Sequence, residues 1–398
     1  MNLRAVGRHF LQIPGPTPVP DRVLRAIAEP TIDHRGPAFA DLGRSVLTGL
    51  KRVFQTSGPV VVFPASGTGA WEAALVNTLS PGDAVLMAQT GWFASLWSEM
   101  AERIGLKPIL IETDWRQGAD PEAIEAALRA DTERRIRAVA VVHNETSTGC
   151  VSPVAAIRVA IDAAGHPALL MVDTISSLAS LDYRHQAWGV DVTIAGSQKG
   201  LMLPPGLSFN AVSAKALEAA KSASLPKSYW DWRPMLDANA GFYFPYTPAT
   251  NLLRGLQAAL AMLDEEGLPN VFARHDRLAA ATRAAVCVWG EGGALELQCA
   301  APSDYSSSLT AVRLAEGHSA DALRALILQR FNMSLGNGLG QLRDRVFRIG
   351  HLGDINDLTL LGALSGVEMG LRLAGVPAPT GGVDAAMASL MEGAPAAV

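Results

Sequence analysis

The sequence predicts an α/β fold: a large domain built on a mainly parallel, seven-stranded sheet with helices on both faces, then a smaller C-terminal α+β domain. Three observations carry this reading. From about residue 59, short apolar runs alternate with longer Ala-rich stretches of helical period, the order expected of helices laid over a sheet. Most of these runs are continuously apolar rather than alternating, which suits strands covered on both faces and hence parallel pairing. The chain has 398 residues, more than the roughly 250 to 300 that a single core sustains, so two domains are expected.

The strands fall at 60–63, 84–87, 108–111, 138–142, 169–172, 192–195 and 207–211. Between them a helix at 68–79 stops at Ser80-Pro81-Gly82-Asp83, a Pro-Gly breaker with turn chemistry. Pro121 and Pro153 open two more helices at the first turn, where proline's missing N–H is not needed, and Gly165-His166-Pro167 ends the second. After about residue 245 the pattern changes to two long helices, 251–263 and 271–289, with no strand between them. Strands at 308–314 and 346–349 and helices at 320–331 and 356–373 make the smaller domain. The expected organisation is an N-terminal arm (1–20), a large domain (21–265), a small domain (266–375) joined through the long helices, and a tail (376–398). The tail is rich in Ala, Gly and Pro and is expected to be frayed or loosely docked.

Composition narrows the function. Hydrophobic residues make up 49% and charged residues 18% of the chain, a globular rather than a disordered profile. The net charge of -5 argues against a nucleic-acid surface, which needs clustered basic charge. Cys150, Cys287 and Cys299 show no CxxC or Cys/His ligand spacing and read as buried thiols of a reducing compartment. No signal peptide and no apolar run long enough to span a membrane is visible, so a cytoplasmic location without membrane or metal partners is expected.

Three segments carry chemistry. Ser66-Gly67-Thr68-Gly69 follows a strand and opens a helix, so it is either a tight turn or an anion cradle made by free N–H groups at a helix N-terminus. It is neither a GxGxxG nor a P-loop, because Glu72 stands at the third glycine and no GK[ST] follows. Asp173 stands directly after the strand 169–172, where residues face the ligand crevice of an open α/β sheet, although its neighbours are also good turn sequence. Lys199, in Gly196-Ser197-Gln198-Lys199-Gly200, also follows a strand and is then enclosed by apolar residues. Poor hydration makes such an amine more easily neutral and nucleophilic. A Schiff-base lysine, a carboxylate for a pyridine nitrogen and a phosphate cup are together what pyridoxal phosphate requires.

The ordered set Pro14-Gly15-Pro16-Thr17, Asp33-His34-Arg35, Ser66-Gly67-Thr68-Gly69, His143-Asn144-Glu145-Thr146-Ser147-Thr148-Gly149, Gly196-Ser197-Gln198-Lys199-Gly200 and Arg348-Ile349-Gly350-His351-Leu352-Gly353 spans nearly the whole chain. It resembles the class V pyridoxal-phosphate-dependent aminotransferases of fold type I, most closely the serine-glyoxylate and alanine-glyoxylate group. The resemblance implies that Lys199 holds the cofactor as a Schiff base and shuttles the Cα proton, and that Asp173 pairs with the pyridinium nitrogen. It further implies that Gly67, Thr68, Gly69 and Gln198 hold the phosphate, whose charge of about -1.5 to -2 needs several donors, and that Trp92 stacks on the ring. Thr146 would contact the ring hydroxyl or the substrate, and Arg348 the substrate carboxylate. The plain alternatives are a core tryptophan, a loop hydroxyl bonded to backbone, and an internal salt bridge. Tyr246 and Thr247 would reach a neighbouring subunit's phosphate site, making a homodimer, and Asp33-His34-Arg35 would line the entrance or form an exposed turn.

The implied reaction moves an amino group from a small amino acid, L-serine foremost, to glyoxylate, giving hydroxypyruvate and glycine by a ping-pong mechanism. Aspartate or alanine as donor stays open. A lyase of the same fold, such as a cysteine desulfurase, is disfavoured because Gly336-Asn337-Gly338-Leu339-Gly340-Gln341 has no cysteine. A binding protein that has lost turnover is disfavoured because Lys199, Asp173 and Arg348 are all present.

Overall fold

The computed structural model describes residues 7–392, so the ends of the expected arm and tail, 1–6 and 393–398, lie outside the described residues. In chain order the first half comprises β1 (Phe10–Gln12), α1 (Asp21–Ile27), α2 (Pro37–Val53), β2 (Val60–Phe63), α3 (Gly67–Thr78), β3 (Ala84–Gln89), α4 (Trp92–Arg103), β4 (Lys107–Glu112), α5 (Pro121–Ala130), β5 (Ile136–Val142), β6 (Asn144–Glu145), β7 (Cys150–Val151), α6 (Val154–Ala163), β8 (Leu169–Asp173), β9 (Val192–Gly196) and β10 (Ser208–Val212). The second half comprises α7 (Ala214–Ser222), α8 (Trp232–Asn239), α9 (Thr250–Glu266), α10 (Leu268–Gly290), β11 (Leu295–Leu297), β12 (Leu309–Leu314), α11 (Ala320–Phe331), β13 (Met333–Asn337), β14 (Val346–Gly350), α12 (Asp357–Leu373) and α13 (Gly382–Glu392).

All seven strands expected in the large sheet form it, in the order β2-β10-β9-β8-β5-β3-β4. Only β10 runs against its neighbours, so β2, β9, β8, β5, β3 and β4 end on one rim. Alternate residues serve two cores. Val62, Leu86, Val139 and Leu170 pack with Leu50, Ile157 and Leu256 on one face, while Val61, Val85, Met171 and Ile194 pack with Ala74, Trp97 and Ala216 on the other. The strand expected at 108–111 is an exception to two-sided burial. As β4 it is the outer edge of the sheet, with a neighbouring strand on one side only, and Ile109 and Leu110 are exposed there.

A second sheet follows the order β1-β13-β14-β12-β11. Its first strand comes from the N-terminus and pairs in parallel with β13. Leu278 and Trp289 of α10, Leu323 of α11 and Leu364 of α12 close its core with Val312 and Phe347. The described part of the tail is not frayed: α13 docks by burying Ala386 and Leu390, and its Val383 N–H donates to Glu368 at 3.1 Å. Glu368 also accepts the Trp289 indole N–H at 2.9 Å. An Ala- and Met-bearing segment spaced for a helix had been masked by its flanking Gly and Pro. The thiols also divide differently from expectation, with Cys150 and Cys299 buried but Cys287 exposed on the outer face of α10.

Five histidines are buried among the described residues: His143, His166, His185, His275 and His351. His185 shares its Nδ1 with the Thr193 hydroxyl at 2.7 Å, and burial pushes its titration down to about 4. His143 and His275 fall to about 4 and His351 to about 3 for the same reason. An unfolded histidine titrates near 6.5, so each of His143, His185, His275 and His351 contributes stability that is present above about pH 6.5 and is lost as pH falls through 4. His185→Gln removes one such group. The melting-temperature gap between wild type and His185→Gln is therefore expected to narrow between pH 7.5 and pH 5; a gap constant with pH refutes the neutral-histidine assignment.

Candidate active site

Five strand ends converge on one cavity of about 190 Å³. Asp173 ends β8, and Lys199 lies three residues past β9, the next strand in parallel register. Both line the cavity and are nearly sealed, at 3% and 8% exposure. The N-terminal arm does the sealing. Thr17 N–H donates to the Gln198 carbonyl at 3.0 Å, the Thr17 hydroxyl donates to the Lys199 carbonyl at 3.3 Å, and Lys199 Nζ donates to the Pro14 carbonyl. Gly15 is needed here because its φ of +97° is a conformation L side chains rarely adopt, and its bare α-carbon lets the arm lie against the Lys199 side chain.

Burial acts on the two groups in opposite directions. It lowers Lys199 to about 7, helped by the Arg348 charge and opposed by Asp173. It raises Asp173 to about 7, against two donors, Ile175 N–H at 2.7 Å and the Trp71 indole N–H at 2.8 Å. Asp173 thus does both things its position suggested: it makes the turn bond to Ile175 and faces the cavity. A cation held in the cavity would favour its ionised form.

The N-terminus of α3 forms another wall through Ser66, Gly67 and Thr68. Ser66 caps the helix by position but makes no side-chain capping bond, and the Gly67 and Thr68 N–H groups have no acceptor among the described residues, as an anion site requires. Gln198 lines the same cavity, where its side-chain N–H₂ is the group able to donate to a phosphate; its amide oxygen, an acceptor, is buried without a partner. This donor set fits a phosphate, and Asp173 fits a pyridine nitrogen, so the cavity suits pyridoxal phosphate. Gly69 is placed differently from expectation. It does not line the cavity; its N–H donates to Ser66 O at 2.9 Å and its α-carbon faces the Trp230 ring.

Arg348 comes from the other sheet; it does not line the cavity itself and is joined to a wall residue, Thr146. At 6% exposure it donates through Nε to Asn337 O at 2.8 Å and through Nη1 to Thr146 O at 2.9 Å. Burial lowers it to about 10 while Glu145 acts to hold it up. Among the described residues no carboxylate forms a salt bridge with it, which removes the internal ion pair as its explanation. Thr146 lines the cavity and donates to Ser176 Oγ at 2.7 Å.

Trp92 does not line the cavity among the described residues. Its ring packs over Gly340 and beside the cluster of Trp115, Leu309, Ala311, Leu342 and Val346, while the next residue, Phe93, lines the cavity. Successive residues in the first turn of a helix point about 100° apart, so a shift of one position exchanges the wall for the core. Tyr246 stacks on Tyr229 with centroids 4.8 Å apart, Thr247 is exposed, and neither lines this chain's cavity. Asp33-His34-Arg35 forms a turn in which Arg35 N–H donates to Asp33 at 2.9 Å, with Asp33 and Arg35 exposed. Sequence reasoning gave no role to Trp71 or Phe93, and named Ser66 and Asn144 only as members of longer motifs. Ser66 had a signal, being the small polar residue just before a helix; the others are told apart from core residues only by where the strands end. Wider grooves of about 830 and 680 Å³ lie elsewhere, beside Arg313 and Lys107 respectively, and neither sets a buried lysine against a buried carboxylate.

Trp71→Phe removes one of the two donors to Asp173 while keeping an aromatic ring. Hydrogen bonds to charged groups contribute about 1.5–3 kcal/mol, so affinity for pyridoxal phosphate, followed by fluorescence titration of cofactor-depleted protein, is expected to fall about tenfold or more. Unchanged affinity would separate Asp173 from cofactor binding.

Comparison with known proteins agrees with this geometry. The aminotransferase class-V family matches residues 9–341. A serine--glyoxylate aminotransferase of Methylorubrum extorquens is 50% identical, the match covering 98% of each chain. An L-aspartate--glyoxylate aminotransferase of Paracoccus denitrificans is 46% identical over 94% of each. The crystal structure of pyridoxamine-pyruvate aminotransferase from Mesorhizobium loti superposes with a TM-score of 0.90 at 28% identity, covering 98% of both chains. The matched segment carries the strand ends, the helix N-terminus and Lys199, and the chain belongs to the class-V aminotransferases.

Proposed function

We propose that this protein is a pyridoxal-phosphate-dependent transaminase that transfers the amino group of L-serine to glyoxylate, giving hydroxypyruvate and glycine. The observation that carries the reading is the buried Lys199 facing Asp173 across a cavity beside Arg348, a guanidinium without a carboxylate partner. The cofactor, when bound, supplies an electron sink for the bond that breaks at the substrate's Cα. Lys199 then takes the proton from Cα and returns one in the second half-reaction. Its amine, lowered to about 7, is available as a base near neutral pH. Asp173 holds the ring nitrogen, the free N–H groups of Gly67 and Thr68 with Gln198 hold the phosphate, and Phe93 in place of Trp92 covers the ring face. Arg348 orients the α-carboxylate that serine and glyoxylate both carry, so one site serves both half-reactions in turn.

Serine is the leading donor because the relative at 50% identity bears that name. The name of the relative at 46% identity supports aspartate as the second reading. We also propose a homodimer in which Tyr246 and Thr247 complete the partner's phosphate site; the outward placement of Thr247 on this chain supports that arrangement. Among the described residues no helix is long and apolar enough to cross a membrane; with the unpaired thiols, this accords with a cytoplasmic location.

Release of the keto acid, measured with serine, aspartate and alanine in turn at fixed glyoxylate, decides the donor; hydroxypyruvate from serine is expected to dominate. Borohydride should trap the cofactor on the Lys199 peptide, and Lys199→Ala should lose at least about a thousandfold in turnover, combining lost nucleophilic and acid-base roles. Full turnover by Lys199→Ala sinks the reading.

A further inference from the structure

Glu145 is the most deeply buried carboxylate near the cavity, at 0% exposure, and burial pushes its titration up. It forms no salt bridge among the described residues, yet every group within hydrogen-bond reach donates to it. Ala94 N–H donates to Oε2 at 3.1 Å, and Phe93 N–H at 3.4 Å, Ser147 N–H at 3.1 Å and the Ser147 hydroxyl at 2.6 Å all donate to Oε1. The Ser147 hydroxyl in turn accepts Trp92 N–H at 2.9 Å. The first three N–H groups of α4 therefore end on two side chains from a different part of the chain. A carboxylate at a helix N-terminus, surrounded only by donors, suits the ionised form.

The same segment also faces the substrate side. Thr146, between the two capping residues, lends its carbonyl to Arg348 and its hydroxyl to Ser176. Gly91, immediately before α4, lies so close to the Glu145 and Ser147 side chains that a β-carbon there would overlap them. Neither Glu145 nor Ser147 lines the cavity; both touch what does.

We infer that Glu145, with Ser147, is a positioning residue of the active site: it clamps the first turn of α4 so that Phe93 faces the cofactor ring, and it thereby ties that turn to the loop that holds Arg348. The inference rests on the proposed transaminase reading. A cap serving only to stabilise α4 could come from the helix's own N-cap residue, as Asp120 does for α5 and Ser213 for α7. Here the cap is supplied by the segment that holds Arg348, and the residue it fixes is the aromatic on the cavity wall.

Glu145→Gln preserves shape but turns an amide N–H₂ toward donors, and Ser147→Ala frees Trp92 N–H and one carboxylate contact. Both are to be studied as cofactor-loaded protein. The induced visible circular dichroism of the bound cofactor reports how its ring is held, and KM and kcat are measured separately for serine and glyoxylate. The expected result is a weakened visible band in both variants, with KM for both substrates raised about tenfold in Glu145→Gln and kcat reduced less, the pattern of lost ground-state positioning. A lowered melting temperature with the band and both KM values unchanged overturns the proposal. If Glu145→Gln does not fold, Ser147→Ala decides alone, and an unaltered band in that variant overturns it. Failure of the wild type to transfer an amino group would instead defeat the transaminase reading, and the visible band would still report on Glu145.

Discussion

The removal of a lysine amine from water is the constraint on which the rest of this structure depends. Lys199 would be an ordinary surface cation if the strands merely ended beside it. It is enclosed because the N-terminal arm crosses back over the strand ends and places Pro14, Gly15 and Thr17 against it. That crossing is made possible by pairing β1 with the smaller sheet. The far end of the chain therefore shares in setting the reactivity of a residue in the middle: β13, more than a hundred positions beyond Lys199, supplies the edge that anchors the arm. Burial then favours the neutral amine of Lys199 and the protonated form of Asp173, and each group partly offsets the effect on the other.

A mildly acidic chain can hold a phosphate and a carboxylate because its donors are local and fixed. The phosphate corner offers backbone N–H groups at the start of α3 and the Gln198 amide, and the carboxylate corner offers Arg348. These groups come from both sheets, and the Arg348 to Thr146 bond joins the two where the substrate would sit. Net charge is a sum over the surface and is silent about such placement.

Helix ends carry much of the precision. The N-terminus of α3 is left uncapped toward the cavity, while that of α4 is capped from outside by Glu145 and Ser147. The contrast separates two uses of the same backbone groups: one set stays free for a ligand, the other is spent holding an aromatic wall in place.

Much of this was legible in the residues themselves. Continuous apolar runs located all seven strands of the large sheet; for all but the edge strand β4 the reason is that strands covered on both faces have no polar side to interrupt them. Proline and glycine marked the helix starts and stops for the same local reason. The motif set Ser66-Gly67, Asp173 and Lys199-Gly200 announced the chemistry, since each stands directly after such a strand. The short strands β1 and β13 were not legible: a few residues paired with a distant segment carry no periodicity of their own. Trp92 and Phe93 were indistinguishable as aromatics, and only the direction of the first turn of α4 put Phe93 on the cavity. The tail's Gly and Pro content hid α13, whose helix is held by burial against α10. What the sequence determined alone was the strands of the large sheet, the fold class and the identity of the reactive groups, all properties of residues and their immediate neighbours. Which side chain faces the cavity, which glycine serves packing rather than phosphate, and how far Lys199 and Asp173 are desolvated were decided by tertiary structure, because each depends on segments that meet only in the folded chain.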